Sequence, residues 1–293
     1  MRVTDQQMFS ALTWRINRNW QHLEKVQDQI ASGQQINKPS DDPVSSSRTG
    51  VLDETISHLD NMDRSADQAS GYLEAIEGTL GQVSDLLIRA RELAVQGASD
   101  ENDAQARADI ALEIRSMFDQ LVSLGNLDVG GRHVFAGFLS DQPAFASDGS
   151  YNGDSNELEI RVSPGLQVKA TVAGDRVFGG AGGGVDIFSV LDGLATALET
   201  DDTVNIQNSL DGLDAGLSQI NSERALAGSR LDSVQLAKGW NDRLRTGAKA
   251  QRADIRDLDL SKASIELAMA QQALQATMAS TPRMMAQSLL NYL

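Results

Sequence analysis

Chemistry in this sequence would have to start from three histidines, a glycine run, one Asp/Asn-rich turn and a few paired carboxylates. His22, His58 and His133 lie far apart, and no pair has metal-ligand spacing. A Ser-His-Asp triad is assembled in space and leaves no fixed spacing. No Gly-x-Ser-x-Gly elbow marks a nucleophile, however. The run Gly179–Gly184 is followed by Val185-Asp186 and not by Lys-Ser/Thr. An acid there repels phosphate, so the run reads as a flexible connection. Asp148-Gly149-Ser150-Tyr151-Asn152-Gly153-Asp154 starts like a calcium loop, but Ser150 takes the third position and the distal Glu is misplaced. It reads as a turn. The pairs Asp41/Asp42 and Asp201/Asp202 and the trio Asp254/Asp257/Asp259 fall at expected helix starts, where acids face the positive end of the dipole. With no cysteine, thiolate nucleophiles, disulfides and Cys-bound zinc are all removed. No catalytic residue, metal ligand or cofactor site is assigned, and the chain reads as a non-enzyme.

Charge narrows the partners. The 293 residues hold 25 Lys+Arg against 41 Asp+Glu, a formal net charge of −16. A nucleic-acid binder needs a basic footprint for phosphates, and an acidic membrane repels an anionic surface. Neither nucleic acid nor membrane is expected as a partner. No stretch approaches the ~20 apolar residues of a spanning helix. Gln6, Gln7, Arg15, Asn17 and Arg18 interrupt any signal-peptide core, so no cleaved signal is expected.

What remains is helical patterning. Phe9, Ile16, Leu23 and Ile30 fall seven apart, with Leu12, Asn19 and Val26 three positions on. Near the other end Leu260, Leu267 and Leu274 repeat likewise, interleaved with Ala263, Ala270 and Thr277. A seven-residue apolar repeat asks for a partner helix, so the two ends are expected to pair. A first helix over about 6–32 should stop at Gly33, and Pro43 suits the first turn of a second. That second helix carries Leu52, Leu59, Ala66, Leu73, Leu80, Leu87 and Ala94, with Met62, Ala69, Ile76, Val83 and Ala90 alongside. A turn at Gly97–Asp103 leads to a third helix near 104–124. Leu158, Ile160 and Val162 alternate with charged residues, Ser163-Pro164-Gly165 turns, and Leu166, Val168, Ala170 and Val172 alternate again. This is a hairpin with one buried face, and His133–Phe138 reads as a further strand. Helix returns after Ile187 with a stripe at Ile206, Leu213, Ile220, Ala227 and Val234. A last segment runs from about Asp254, with Pro282 expected to kink or restart it. The fold class is mainly α: an elongated coiled-coil bundle built from both termini, with a small β-rich insertion.

Four stretches resemble a known family: Val26–Asn37 running into Ser40-Asp41-Asp42-Pro43; Arg91–Gln96; Gly131–Gly137 with Pro143, Phe145 and Tyr151–Asp154; and Asp254–Asp259 with the end Ser288–Leu293. They resemble the flagellin family of bacterial axial proteins over nearly the whole chain. The third stretch, with Pro39–Pro43, is similar to the branch of that family found at the hook–filament junction. His133 departs from the aromatic residue common among relatives.

The resemblance implies three parts: a terminal coiled coil of 1–40 with 255–293, a helical rod of 41–127 with 187–254, and an outer insertion of 128–186. It implies a structural adaptor outside the cell, exported by the flagellar type III apparatus. The implied partners are a first junction protein on the hook side (of the hook-associated protein 1 type), flagellin, further copies of the chain, and a cytoplasmic export chaperone on the C-terminal region. Phe9, Leu12, Ile16, Leu23, Val26, Ile30, Leu260, Leu267, Leu274, Leu289 and Leu290 are expected at subunit interfaces. The terminal stripes, unpaired alone, are expected to order only when copies meet. The rivals are a filament flagellin, an intracellular coiled-coil scaffold, and an enzyme with its site in the insertion.

Overall fold

The computed structural model describes residues 2–99 and 103–290, with the side chains of these apart from 2–6, 8 and 281–290. In chain order the elements are α1 (Arg2–Ser32), α2 (Pro43–Gly97), α3 (Ala104–Gly125), β1 (Glu159–Ser163), β2 (Leu166–Lys169), α4 (Gly174–Val177), α5 (Ile187–Glu199), α6 (Thr203–Arg256) and α7 (Leu260–Leu290). The fold is mainly α, as the periodicity predicts. It divides into two compact units: a terminal unit of Met1–His58 with Leu244–Leu293, and a central unit of Leu59–Arg243.

In the terminal unit α1 packs on α7. Leu12, Leu23, Val26, Ala263, Ala270 and Leu274 are buried along their seam. Gly33 ends α1 at φ +68°, the left-handed closure that glycine permits. Beyond it the chain is tied by backbone bonds: Gln35 N donates to Arg256 O at 2.7 Å, and Leu258 N to Gly33 O at 3.0 Å. Asp42 starts α2 by accepting from the amides of Val44 and Ser45, both at 3.1 Å. Asp41 instead accepts from the amides of Asn37 and Lys38 and meets Lys25 at 3.2 Å, which closes the loop onto α1. Amide and lysine bonds hold its carboxyl below the usual value.

In the central unit the long α2 stripe is buried from Leu59 to Ala94, and Ile206, Leu213, Ile220, Ala227 and Val234 of α6 join the same core. Asp103 caps α3 through the Ala106 amide at 2.8 Å. The hairpin pairs β1 antiparallel to β2 with Ile160 opposite Val168. Gly165, at φ +81°, makes its turn. Val162 and Val168 face inward, as the alternation predicts.

Three expectations are corrected. His133–Phe138 is not a strand. Only His133 makes an isolated bridge, to Asp128, and turns follow it. Gly137 has φ +69°, and a Cβ there would lie 2.5 Å from the Asp154 carbonyl oxygen, so the chain folds back instead of extending. The final helix does not begin at Asp254: α6 runs on to Arg256, and α7 starts at Leu260, capped by Asp259 through the amides of Ser261 (3.0 Å) and Lys262 (3.2 Å). Finally, of the kink or restart expected at Pro282, the restart does not occur: α7 runs on as one element from Leu260 to Leu290.

Few strands and few aromatics leave the question of what fills the insertion. The answer is a cluster that the sequence scatters over 118–188. Phe145 stacks at 4.9 Å from Phe188 and 5.3 Å from Phe178; Phe178 meets Phe135 at 5.3 Å; Phe118 meets Phe188 at 5.6 Å. Edge-on and tilted pairs of this kind add about 0.5–1.5 kcal/mol each beyond their burial. Tyr151 packs against Phe145, and its hydroxyl lies within hydrogen-bonding reach of the Phe135 and Asp154 carbonyls.

Candidate assembly surfaces

The residues flagged for chemistry do not converge. His22 faces Glu266 at 3.6 Å, His58 is exposed, and His133 Nδ1 lies 2.9 Å from the Asn126 carbonyl. Among the described residues no group of three His, Asp or Glu is gathered as a metal site requires. None of the described helices is long and apolar enough to cross a membrane. The glycine run is not a phosphate cradle. Gln219 of α6 stitches it down, accepting from Val185 N at 2.8 Å and donating to the carbonyls of Val177 (2.8 Å) and Val185 (3.2 Å).

One charge cluster of the central unit is a clamp. The buried Glu157 carboxylate meets Lys169 at 2.8 Å, Arg230 at 3.2 Å and Arg176 at 3.4 Å, and Arg176 also holds Glu223 at 2.7 Å. The insertion is thereby fastened to α6. Burial pushes the Glu157 pKa up, but the bond to Lys169 and the charges of Arg230 and Arg176 outweigh it and hold the carboxyl below 4.5. Glu157 therefore contributes stability that is full above pH 4.5 and is lost as pH falls through the lower folded value. Glu157→Gln should lower the melting temperature at neutral pH, and the gap to the parent should narrow as the pH falls below 4.5. A gap that stays constant down to pH 3 in thermal melts would contradict this.

The apolar residues expected at subunit interfaces divide. Leu12, Leu23, Val26 and Leu274 are buried in the α1–α7 seam of one chain, while Ile16, Ile30 and Leu267 are half-buried. Phe9 and Leu260 remain open, at 55% and 59% exposure. Leu289 and Leu290 fall outside the described side chains. The pattern missed another set. Trp14, Trp20, Ile265, Met269 and Met278 are all more than half exposed, off the heptad stripe. Their only signal in the sequence was residue type, because they follow no repeat. Arg18 covers one face of Trp14 at 5.3 Å, which half-shields that ring.

Charge separates the units as sharply as packing does. The terminal unit holds 12 of the 25 basic and 11 of the 41 acidic residues, so its net charge is +1. The central unit keeps the other 13 and 30, a net −17.

The terminal unit is thus a helix pair, near neutral in charge, with Phe9, Trp14, Trp20, Met269 and Met278 exposed among its described residues. Residues 3–139 match the family model of the bacterial flagellin N-terminal helical region. The chain is 25% identical to flagellar hook-associated protein 3 of Escherichia coli K12 over 300 residues, 94% of this chain and 95% of that one. It is 23% identical over 245 residues to a flagellin of Halalkalibacterium halodurans, covering 83% and 80%. The fold matches the crystal structure of the flagellar junction protein FlgL from Legionella pneumophila with a TM-score of 0.59 at 17% identity, over 71% of this chain and 99% of that one. This chain is thus similar to the bacterial flagellins in its N-terminal region and to hook-associated protein 3 nearly from end to end.

Proposed function

We propose that this chain is a structural subunit of the bacterial flagellum, an adaptor seated at the hook–filament junction onto which flagellin assembles. The carrying observation is the near end-to-end match to hook-associated protein 3, on a chain whose two ends form one helical seam. A hook-side junction protein of the hook-associated protein 1 type, flagellin and further copies of the chain are its partners. A cytoplasmic chaperone escorts its C-terminal region, and it leaves the cell by type III export. Its parts are a terminal coiled coil (1–40, 255–293), a helical rod (41–127, 187–254) and an outer insertion (128–186), and it catalyses nothing.

Copies would meet through Phe9, Leu260 and the half-covered Ile16, Ile30 and Leu267, with Leu289 and Leu290 also among the proposed contacts. Two helices alone bury a narrow strip, so neighbours would complete the ordering of both ends. Deleting the gene should give hooks without filaments and flagellin in the medium; normal filaments would overturn the role. The match to a flagellin over most of both chains keeps a second role in view, that of a filament subunit. Filament seeds separate the two: a flagellin extends them into long polymers, and a junction adaptor alone does not.

A further inference from the structure

Between Phe9 and Ile30 on α1 and between Leu260 and Thr277 on α7, the heptad positions of the seam are apolar but for two. Asn19 is the one polar member of the rows Phe9/Ile16/Leu23/Ile30 and Leu12/Asn19/Val26. Thr277 is the one polar member of the rows Leu260/Leu267/Leu274 and Ala263/Ala270/Thr277. The fold brings these two together across 258 positions of sequence, and the Asn19 amide Nδ2 donates to Thr277 Oγ1 at 2.8 Å. The same hydroxyl donates to the Ala273 carbonyl at 2.7 Å, and Nδ2 reaches that carbonyl at 3.5 Å. Both side chains are half-buried. We infer that the Asn19–Thr277 pair is the specificity element of the terminal seam: it makes α1 accept α7 in one register, and so distinguishes the correct partner helix from the same helix displaced or from a neighbouring copy.

The physical case rests on what displacement does. The two helices run antiparallel, with Leu23 packed by Ala270 and Leu274. A shift of one heptad keeps most apolar residues opposite apolar ones, so burial alone hardly resists it. It would, however, set Asn19 against Ala270 and Thr277 against Leu12, leaving the amide unmatched in the seam. A half-buried amide that loses its partner has to draw water into the seam, and one polar residue in a coiled-coil core fixes register for this reason. The backbone ties at Gly33–Gln35 and Arg256–Leu258 already pin the near end of the seam. Asn19 stands about 22 Å further along α1, at ~1.5 Å per residue, where those ties no longer reach. Nor do they restrain the α7 of a second copy. This residue pair deepens the junction role but depends on it only for its purpose, since its test is made on the isolated full chain.

The native sequence has no cysteine, so only an introduced pair can oxidise. Leu23→Cys with Ala270→Cys reports the native register, and Leu23→Cys with Ala263→Cys reports the one-heptad shift. Each pair is placed in three full-length backgrounds: the parent, Asn19→Leu/Thr277→Leu, and the exchange Asn19→Thr/Thr277→Asn. In the parent the native pair should close at least about tenfold faster than the shifted pair. The Leu/Leu background should raise shifted or interchain closure about fivefold or more with no loss of helicity by circular dichroism, and the exchange should restore the parental ratio. Equal ratios in the parent and Leu/Leu backgrounds would overturn the inference, as would a native pair that never closes. Either result leaves the gene-deletion outcome untouched, so failure here and failure of the junction role are told apart.

Discussion

Leu23→Asp should abolish swimming and spill flagellin into the medium while the central unit stays folded. Leu23 is 6% exposed and packs with Ala270 and Leu274 in a small cluster that Leu267 flanks. A carboxylate there must be buried without a partner or force the helices apart, at a cost of several kcal/mol. A two-helix seam has no second core to absorb that cost. The central core is a separate cluster running from Ala66 to Ala237, so its melting transition should persist. Phe9→Asp is the informative contrast. At 55% exposure its ring contributes little to the isolated chain, and the monomer should melt as before. If copies cover Phe9, assembly alone should fail. Swim plates, flagellin blots of the medium and thermal melts read all three outcomes, and normal filaments in the Leu23→Asp strain would contradict the assembly role of the seam.

Arg107→Met should lower the melting temperature of the central unit by about 10 °C, from a loss of about 3 kcal/mol at roughly 2–4 °C per kcal/mol for a domain of this size. Arg107 is a buried cation. Its Nε donates to the Gly97 carbonyl at 2.8 Å and Nη2 to the Ser99 carbonyl at 3.0 Å, and Nη1 pairs with Asp201. One side chain thus closes the end of α2 and ties it to the turn between α5 and α6. Asp201 holds φ +58°, a conformation costly for a residue with a Cβ, and the pair helps to keep it there. Methionine fills the space but removes the guanidinium donors from the Gly97 and Ser99 carbonyls. Asp201 is half-exposed, so water compensates that partner and the carbonyls carry most of the loss. A shift under 2 °C by calorimetry would show that water replaces all three bonds.

The helical frame was legible because its signal is periodic. Leu59, Leu73, Leu80 and Leu87 repeat at the spacing of one helix face, and that face is buried. The aromatic cluster was not legible: Phe118, Phe135, Phe145, Phe178 and Phe188 follow no period, and only the folded insertion brings them together. His133–Phe138 failed as a strand because apolar residues around a left-handed glycine look the same in sequence as an extended run. Asp254, Asp257 and Asp259 could each have begun the last helix. Only Asp259 has free amides ahead of it, since α6 still occupies Asp254. The contact surface was half legible. A heptad announces that a helix wants a partner but not which one, and much of the stripe is satisfied within the chain. The large residues left open, such as Trp20 and Met269, lie off the repeat and escape a search for period.

The uneven partition of charge has its own consequence. Terminal units at +1 can be brought side by side with almost no net Coulomb barrier, but each copy also brings a central unit at −17. Repulsion among those anionic portions extends over about 8 Å at physiological ionic strength and shrinks to about 3 Å in molar salt. Added electrolyte should therefore tighten a stack of these subunits, the reverse of what an interface cemented by ion pairs would do. In dilute buffer the same repulsion would act as a brake on growth, favouring a finite collar over an endless fibre.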